Sequence, residues 1–362
     1  MKLIKPYICF DEVKRDFKEI FDSGWFTKGK YIEEFRQVIK NHTGARYCFP
    51  STSATTALTI ALKAFQIKQG NEVIVSDFTW PATANVVEDL GATPIFADVS
   101  LETFNMLPEE LEKKITKKTK AVIFVSALGN PSGIHEIKNI CQKNSLPLIE
   151  DAACSFGSEE KAIKCGNIAD ISCFSFHPRK LITTGEGGAI TFNNQKLESF
   201  FEVKLNHGAK FKNGKLNFID YGYNYRLPEL QALMGIIQIK KIDEIIKSRN
   251  KIKKKYIDSL TKFGFKAQHV KSDVVFNVQS MVFKVPTGIN RDRLINHLKN
   301  NSIEATLGTY CVSGNSYYKK KYKNIQKNAK YLEKNTITLP CYEGVNVNLI
   351  TKVIFDFLHE KF

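Results

Sequence analysis

The chain has 362 residues, of which 43% are hydrophobic and 25% charged, as in a globular protein with one large and one smaller domain. No apolar run approaches the roughly 20 residues of a membrane span, and the N-terminus lacks the apolar core of a signal peptide. The eight cysteines form no CxxC pair, so we expect free thiols in the cytoplasm and no metal site. The net charge of +16 suits a phosphorylated substrate, but the lysines are dispersed, and we expect neither nucleic-acid nor membrane binding.

Short apolar runs alternate with helical patterns between about residues 45 and 192. In chain order the pattern predicts helix 53–65 with Ser53 as its N-cap, strand 72–77, helix 83–91, strand 93–99, helix 107–115, strand 121–128, helix 135–143, strand 146–151, strand 171–176 and strand 187–192. Continuous apolar strands separated by helices indicate a mostly parallel sheet with helices on both faces.

The last two predicted strands are separated by only about ten residues, fewer than a parallel crossover needs, so we expect one antiparallel strand in the sheet. Near residue 245 a long basic helical stretch leads into a pattern of the α+β type. We therefore predict an α/β fold with a large domain, including an N-terminal segment, at 1–245 and a smaller α+β domain at 246–362.

Chemically useful side chains gather where the predicted strands end, which is where open α/β sheets bind their ligands. They are Thr55 and Thr56 at the start of helix 53–65, Trp80 after strand 72–77, Asp151 at the end of strand 146–151, and Ser175 and Lys180 at and just past the end of strand 171–176.

These residue types match the groups of pyridoxal 5'-phosphate (PLP). A helix N-terminus with hydroxyl side chains can bind its phosphate, and a carboxylate such as Asp151 can keep its pyridine nitrogen protonated. Lys180 can form a Schiff base with its aldehyde, while Ser175 in the same short loop contacts the phosphate. An aromatic ring such as Trp80 can stack on the face of the cofactor.

Each residue alone has a simpler interpretation. Lys180 could be a surface lysine, Asp151 could cap a helix at 152–157, and Trp80 could be an ordinary core or surface aromatic residue. It is the order of these residues along the chain that supports the PLP hypothesis.

The segments EDAACSFG (150–157) and DISCFSFHPRKLITTGEGGAITFNN (170–194) resemble the DegT/DnrJ/StrS aminotransferases, which are sugar aminotransferases of nucleotide-sugar pathways. These enzymes are PLP-dependent and have fold type I, the aspartate-aminotransferase-like fold. The resemblance extends to segments 24–35, 53–62, 77–99 and 221–235, and is only generic in the C-terminal region.

The resemblance implies a role for each residue. Lys180 would be the Schiff-base lysine and general base, Asp151 the partner of the pyridine nitrogen, and Trp80 the stacking aromatic residue. Thr55, Thr56 and Ser175 would contact the phosphate. Asn224 in the segment GYNYR would reach the cofactor phosphate of the neighbouring subunit, which implies a homodimer with shared active sites; alternatively, it is a local helix cap.

Two positions depart from the family pattern. Cys154 stands where relatives commonly have Gln or His near the ring hydroxyl of the cofactor, so that hydrogen bond is missing or supplied by water. Ser126 stands where relatives often have a histidine, so we expect altered contacts on the substrate side. A branch of the family replaces the lysine with histidine and performs dehydration, and Lys180 argues against that branch.

The resemblance thus implies an aminotransferase that cycles between PLP and pyridoxamine 5'-phosphate. The expected donor is L-glutamate, and the expected acceptor is the keto group of a nucleotide-linked deoxy sugar. One alternative is a PLP transaminase acting on a smaller, non-nucleotide ketone, which an assay with free keto compounds would identify. The other is a regulatory or nucleic-acid-binding protein that retains the fold, which would show salt-dependent DNA affinity without a covalently held cofactor.

Overall fold

A seven-stranded sheet lies at the centre of the computed structural model, which describes residues 1–359. The strands of the chain are β1 (Tyr47–Ser51), β2 (Glu72–Ser76), β3 (Phe78–Thr79), β4 (Thr93–Ala97), β5 (Thr119–Val125), β6 (Leu148–Asp151), β7 (Glu159–Glu160), β8 (Ile163–Lys164), β9 (Ile171–Ser175), β10 (Gly188–Phe192), β11 (Ala209–Lys212), β12 (Lys215–Phe218), β13 (Lys266–Ala267), β14 (Val274–Val275), β15 (Met281–Lys284), β16 (Thr306–Leu307), β17 (Tyr310–Cys311) and β18 (Thr336–Leu339). The α-helices are α1 (Phe10–Ser23), α2 (Lys30–Thr43), α3 (Ala54–Ala64), α4 (Ala82–Asp89), α5 (Pro108–Lys114), α6 (Ile134–Lys143), α7 (Glu198–Lys204), α8 (Glu229–Ile239), α9 (Ile242–Leu260), α10 (Arg291–Asn300), α11 (Ser316–Tyr322), α12 (Lys327–Asn335) and α13 (Val347–His359).

The central sheet has the strand order β1-β10-β9-β6-β5-β2-β4. Its strands pair in parallel from β9 to β4, whereas β10 is antiparallel to both of its neighbours. The six predicted strands all belong to this sheet, and the four predicted helices are α3 to α6. The prediction of a mostly parallel sheet with one antiparallel strand is confirmed.

Both faces of the sheet are covered, because successive side chains of a strand point to opposite faces. On β2, Val73 and Val75 enter the core beneath α3 and α4, whereas Ile74 enters a core on the other face with α5 and α6. A third core, around Phe174 and Phe176, packs against α1, α2 and α8. Since β2 is buried on both faces, its sequence is a continuous apolar run.

The start of α3 is fixed by a reciprocal pair of hydrogen bonds between Ser53 and Thr56. The Thr56 N–H donates to Ser53 Oγ at 3.1 Å, and the Ser53 N–H donates to Thr56 Oγ1 at 3.2 Å. The prediction of Ser53 as N-cap is confirmed. The N–H groups of Ala54 and Thr55 in the first turn have no hydrogen-bond partner in residues 1–359, so they remain available to a ligand.

In the C-terminal part, a four-stranded sheet of order β13-β15-β18-β16 packs with α9, α10 and α13. Helix α9 joins this part to the rest, because Ile245 packs in the core of α2 and α8 while Tyr256 packs in the C-terminal core. The division into 1–245 and 246–362 remains a prediction: it falls inside α9, and residues 360–362 lie outside the described residues. Within residues 1–359, no helix combines the length and apolar character that crossing a bilayer requires.

Candidate active site

Asp151 ends β6 and has only 6% of its surface exposed. Its Oδ2 accepts a hydrogen bond from the Thr83 hydroxyl at 2.7 Å, and its Oδ1 accepts one from the Ala153 N–H at 3.2 Å. Burial raises the pKa of Asp151 above its ordinary value, although the Thr83 hydrogen bond and the charge of Lys180 oppose this effect. The carboxylate has no salt bridge within residues 1–359, and its oxygens retain acceptor capacity for a cationic partner.

Residues 152–157, which follow Asp151, form turns rather than a helix. The alternative interpretation of Asp151 as a helix N-cap is therefore wrong. The turns place Cys154 beside the loop that follows β9, where Lys180 Nζ lies 3.1 Å from Cys154 Sγ.

Lys180 belongs to a tight turn in which its N–H donates to the His177 carbonyl at 2.8 Å. Its side chain is half-buried, and its charge acts to lower the pKa of Asp151, against the effect of burial. The structure thus brings together an amine, a thiol and a buried carboxylate from segments of the chain up to 29 residues apart. It does so because β6 and β9 are parallel neighbours whose carboxyl ends meet at one edge.

Ser175 lies beside the first turn of α3 because β10 runs between them. Ser175 pairs with Gly188 in the sheet, and a Cβ atom on Gly188 would lie 2.5 Å from the Ser53 carbonyl carbon. Only glycine allows this approach. The Ser175 hydroxyl, the exposed Thr55 and the open amides of Ala54 and Thr55 therefore surround a space suited to an anion.

Thr56 contributes less directly to this space than the sequence predicted. Its hydroxyl is already hydrogen-bonded to the N–H and the carbonyl of Ser53, at 3.2 and 2.9 Å. Its main effect is to hold the α3 amides in place.

The other two predicted residues lie at the margin of this group. Trp80 is 62% exposed, and its ring meets that of Tyr310 edge-on, with the centroids 5.6 Å apart. Asn224 is exposed and forms an isolated backbone bridge with Asn206. Within residues 1–359, no hydrogen bond links the Asn224 side chain to the other predicted site residues.

Ser126 does not face a cleft. It is fully buried, and its hydroxyl donates to Glu150 Oε1 at 2.7 Å. Ser126 therefore affects the packing below the site rather than an exposed contact with a substrate.

Several further side chains hold the site together and belong to none of the predicted site residues. Thr83 orients Asp151, and its only local signal is its position in the first turn of α4. Asn277 Nδ2 donates to the Cys154 carbonyl at 2.8 Å, and Gln279 Nε2 donates to the Arg179 carbonyl at 2.7 Å. These two amides come from the C-terminal part and fix both loops of the site, without any sequence signal that could have identified them.

The arrangement fits the groups of PLP. The amine of Lys180 is available to the aldehyde, and the incompletely hydrogen-bonded carboxylate of Asp151 would accept a protonated ring nitrogen. The glycine-lined space at α3 would hold the phosphate. No group of three or more His, Cys, Asp or Glu side chains in residues 1–359 could hold a metal ion. The fold and the site define a PLP-dependent enzyme of fold type I.

The model of the DegT/DnrJ/EryC1/StrS aminotransferase family matches residues 9–357, and the chain belongs to this family. It is a PLP-dependent aminotransferase. A GDP-perosamine synthase from Escherichia coli O157:H7 is 34% identical over 356 residues, which cover 96% of each protein.

Solved structures show the same fold. The aminotransferase PseC of Helicobacter pylori, involved in the biosynthesis of pseudoaminic acid, superposes with a TM-score of 0.92 at 25% identity, over 100% of this chain and 99% of that one. The Streptococcus pneumoniae protein Spr1654, described as a sugar aminotransferase and solved in its PMP form, has a TM-score of 0.92 at 24% identity, over 99% of this chain and 96% of that one.

Proposed function

We propose that the enzyme transfers an amino group from L-glutamate to the keto group of a nucleotide-linked deoxy sugar, with Lys180 as the residue that binds the cofactor covalently. The observation that supports this most directly is the amine of Lys180 beside the buried, incompletely hydrogen-bonded carboxylate of Asp151. The choice of acceptor is supported by the GDP-perosamine synthase, which is similar along almost the whole chain.

PLP, when bound, would supply an aldehyde carbon that can carry the amino group and a ring that accepts electrons. Asp151 would keep a proton on the ring nitrogen, and Trp80 would cover the ring face. Lys180, once released from the cofactor, is a free amine that would move the proton of the substrate carbon. Cys154 would lie by the ring hydroxyl.

Thr55 and Ser175 would bind the phosphate together with the open amides of α3, which Thr56 holds in place. We also propose the cytoplasm as the compartment, since all eight cysteines are free thiols.

The test is a screen of nucleotide-linked keto sugars with L-glutamate as donor, in which the aminated sugar is measured. Free keto compounds without a nucleotide form the second arm, and Lys180→Ala is the inactive control. We expect product from at least one nucleotide sugar and none from the free ketones. Turnover of free ketones alone would instead identify a transaminase for smaller substrates.

We further propose a homodimer in which Asn224 of each subunit reaches the partner's cofactor phosphate. The hairpin β11–β12 and the residues that join it to Asn224 expose large apolar side chains: Phe211 is 67% exposed, Phe218 66% and Tyr221 62%. Several large apolar side chains exposed within one short segment are typical of a protein interface. Its position next to Asn224 therefore supports a partner subunit at this place.

Mixing two inactive variants tests the shared site. In a mixed dimer of Lys180→Ala with Asn224→Ala, one composite site would contain both changes and the other neither. If subunits exchange freely in an equal mixture, activity should return to about a quarter of the wild-type level, because half of the dimers have one intact site. If exchange is demonstrated and no activity returns, Asn224 acts within its own chain.

A further inference from the structure

A short segment of the C-terminal part, Tyr310–Ser313, docks against the loop between β2 and α4. Strand β17 pairs antiparallel with β3, so that Tyr310 lies opposite Thr79 and Cys311 opposite Phe78. The Val312 N–H also donates to the Asp77 carbonyl at 3.0 Å. Backbone contacts thus fix this segment beside the residues that lead to Trp80.

The side chain of Asp77 adds three further hydrogen bonds to the same segment. Its Oδ1 accepts from the Ser313 N–H at 2.6 Å, and its Oδ2 accepts from the Ser313 hydroxyl at 2.6 Å and the Cys311 thiol at 3.2 Å. Asp77 is fully buried and has no salt bridge within residues 1–359. A buried carboxylate without a cation is costly, so its hydrogen-bond donors must be well placed. All three come from Cys311 and Ser313.

These contacts set the position of an aromatic pair at the site. Tyr310 precedes the fixed residues and meets Trp80 edge-on, at 5.6 Å between ring centroids and 67° between planes. On the other side, Thr79 and Thr83 are joined through their hydroxyls at 3.2 Å, and Thr83 donates to Asp151. The stretch 77–80 therefore links the docked C-terminal segment to the carboxylate of the site.

The surfaces of the two rings remain available. Trp80 is 62% exposed and Tyr310 is half-buried, and the Tyr310 hydroxyl has no hydrogen-bond partner within residues 1–359. Rigid aromatic rings provide contact area at a low cost in side-chain entropy, and sugar rings present apolar C–H faces to such surfaces. Trp80 directly follows Thr79, which is linked through Thr83 to Asp151, so the pair stands next to the part of the site that holds this carboxylate.

We propose that Asp77 is a positioning residue for the acceptor: by holding residues 311–313, it keeps Tyr310 beside Trp80, and the two rings form one wall of the acceptor sugar site. This rests on the proposed function for the identity of the acceptor. The geometric part, that Asp77 sets the environment of Trp80, stands independently of any substrate.

The test compares Asp77→Ala with Asp98→Ala. Asp98 also ties the C-terminal part to the rest, because it accepts from the N–H groups of Asn328 and Ala329 at 2.9 and 3.0 Å. It is therefore a matched control for general loosening. Both variants are made in a Trp25→Phe background, where Trp80 is the only tryptophan, since the sequence contains two.

In the PLP-loaded enzyme we measure the KM of the nucleotide-sugar acceptor and the rate of the half-reaction with glutamate. Quenching of Trp80 fluorescence by acrylamide is measured separately, without substrate. Asp77→Ala should increase the quenching and raise the KM of the nucleotide-sugar acceptor about tenfold, while the half-reaction with glutamate, which has no sugar ring to contact this wall, is slowed much less. Asp98→Ala should change neither. Tyr310→Ala should raise the acceptor KM similarly, whereas Tyr310→Phe, which keeps the ring, should have a smaller effect.

The proposal is overturned if Asp77→Ala leaves quenching and KM unchanged, if Asp98→Ala has the same effect, or if Tyr310→Ala leaves the acceptor KM unchanged. Should Asp77→Ala not fold, Asp77→Asn, which keeps an oxygen for the Ser313 N–H, replaces it in every comparison. If the wild type accepts no nucleotide sugar, the proposed function fails, but the quenching comparison still decides whether Asp77 positions the segment beside Trp80.

Discussion

Glu150 and Asp151 are adjacent in strand β6, but the two faces of the central sheet offer their carboxylates very different numbers of hydrogen-bond donors. Glu150 points to one face, where it accepts hydrogen bonds from the hydroxyls of Ser126, Ser172 and Ser155 at 2.7, 2.9 and 3.2 Å and from the Gly166 N–H at 3.1 Å. Within residues 1–359, Asp151, the next residue, accepts two hydrogen bonds, at 2.7 and 3.2 Å. Both are buried, so burial alone does not identify a functional carboxylate. The unused acceptor capacity of Asp151 distinguishes it.

This comparison predicts that Asp151 serves catalysis and Glu150 serves stability. Replacing Asp151 with Ala or Asn should lower turnover by at least about a hundredfold, because the lost charge-assisted contact alone amounts to roughly 1.5–3 kcal/mol and the ring becomes a poorer electron acceptor. The far-UV circular dichroism and the unfolding midpoint should remain close to wild type. Near-normal turnover in a PLP-saturated Asp151→Asn enzyme would show that another group protonates the ring.

The substitution Glu150→Gln should lower stability and leave turnover unchanged, the opposite of a substitution at Asp151. An amide can accept with one oxygen only, so part of the four-donor arrangement around Glu150 is lost at a fully buried position. The free energy of unfolding should fall by about 2–4 kcal/mol, measured by denaturant titration, while turnover per folded molecule stays near wild type. An unchanged unfolding midpoint, or a loss of turnover as large as that of Asp151→Asn, would contradict the division of roles.

Asp77 is buried like Glu150 and Asp151, and its ionisation makes a prediction about how the stability of the protein depends on pH. Burial raises the pKa of Asp77 to about 6, against the hydrogen bonds from Ser313 and Cys311, and the nearby Asp98 raises it further. Because the pKa is higher in the folded than in the unfolded chain, the folded state binds the proton more tightly. This contribution to stability is complete below the ordinary Asp pKa near 4 and is lost as the pH rises through about 6.

The unfolding free energy of wild type relative to Asp77→Asn should therefore fall by up to about 2–3 kcal/mol between pH 4 and pH 7. Denaturant titrations of both proteins across this range provide the measurement. A difference that is constant with pH would mean that the ionisation of Asp77 is not linked to folding.

The smallest effect is expected at Cys154. Its thiol is a weak hydrogen-bonding group, and it contacts the Lys180 amine at 3.1 Å. Cys154→Ser should lower turnover by only about threefold, which corresponds to less than 1 kcal/mol. Alkylation of this half-buried thiol should slow when PLP is added, because the cofactor would lie against it. A hundredfold loss of turnover in Cys154→Ser would assign the thiol a direct role in the reaction.

Much of the central sheet could be predicted because its signals are local. The apolar runs of β2, β4, β5, β6, β9 and β10 are short and separated by helical periodicity or turns. Strand β1 is not among the predicted strands, and its sequence YCFPS contains Pro50, a residue that is unfavourable inside a strand. The structure tolerates Pro50 because β1 is an edge strand of the sheet.

The residues of the candidate site also fall into those with a local sequence signal and those without one. Asp151, Ser175 and Lys180 could be predicted because strand ends in an open α/β sheet meet at one edge. Asn277, Gln279 and Tyr310 could not, because they reach the site only through packing of the C-terminal part, more than 90 residues away in sequence from the loops they contact. No periodicity or motif encodes such a contact, so its discovery requires the three-dimensional structure.

The most direct test of the account is to identify the lysine that binds the cofactor. The PLP-loaded enzyme is reduced with borohydride, digested and mapped by mass spectrometry, with Lys180→Ala treated in parallel. The account predicts a yellow protein and a pyridoxyl group on the peptide containing Lys180, absent from the variant. A colourless protein at saturating PLP, or the label on another lysine, would contradict it.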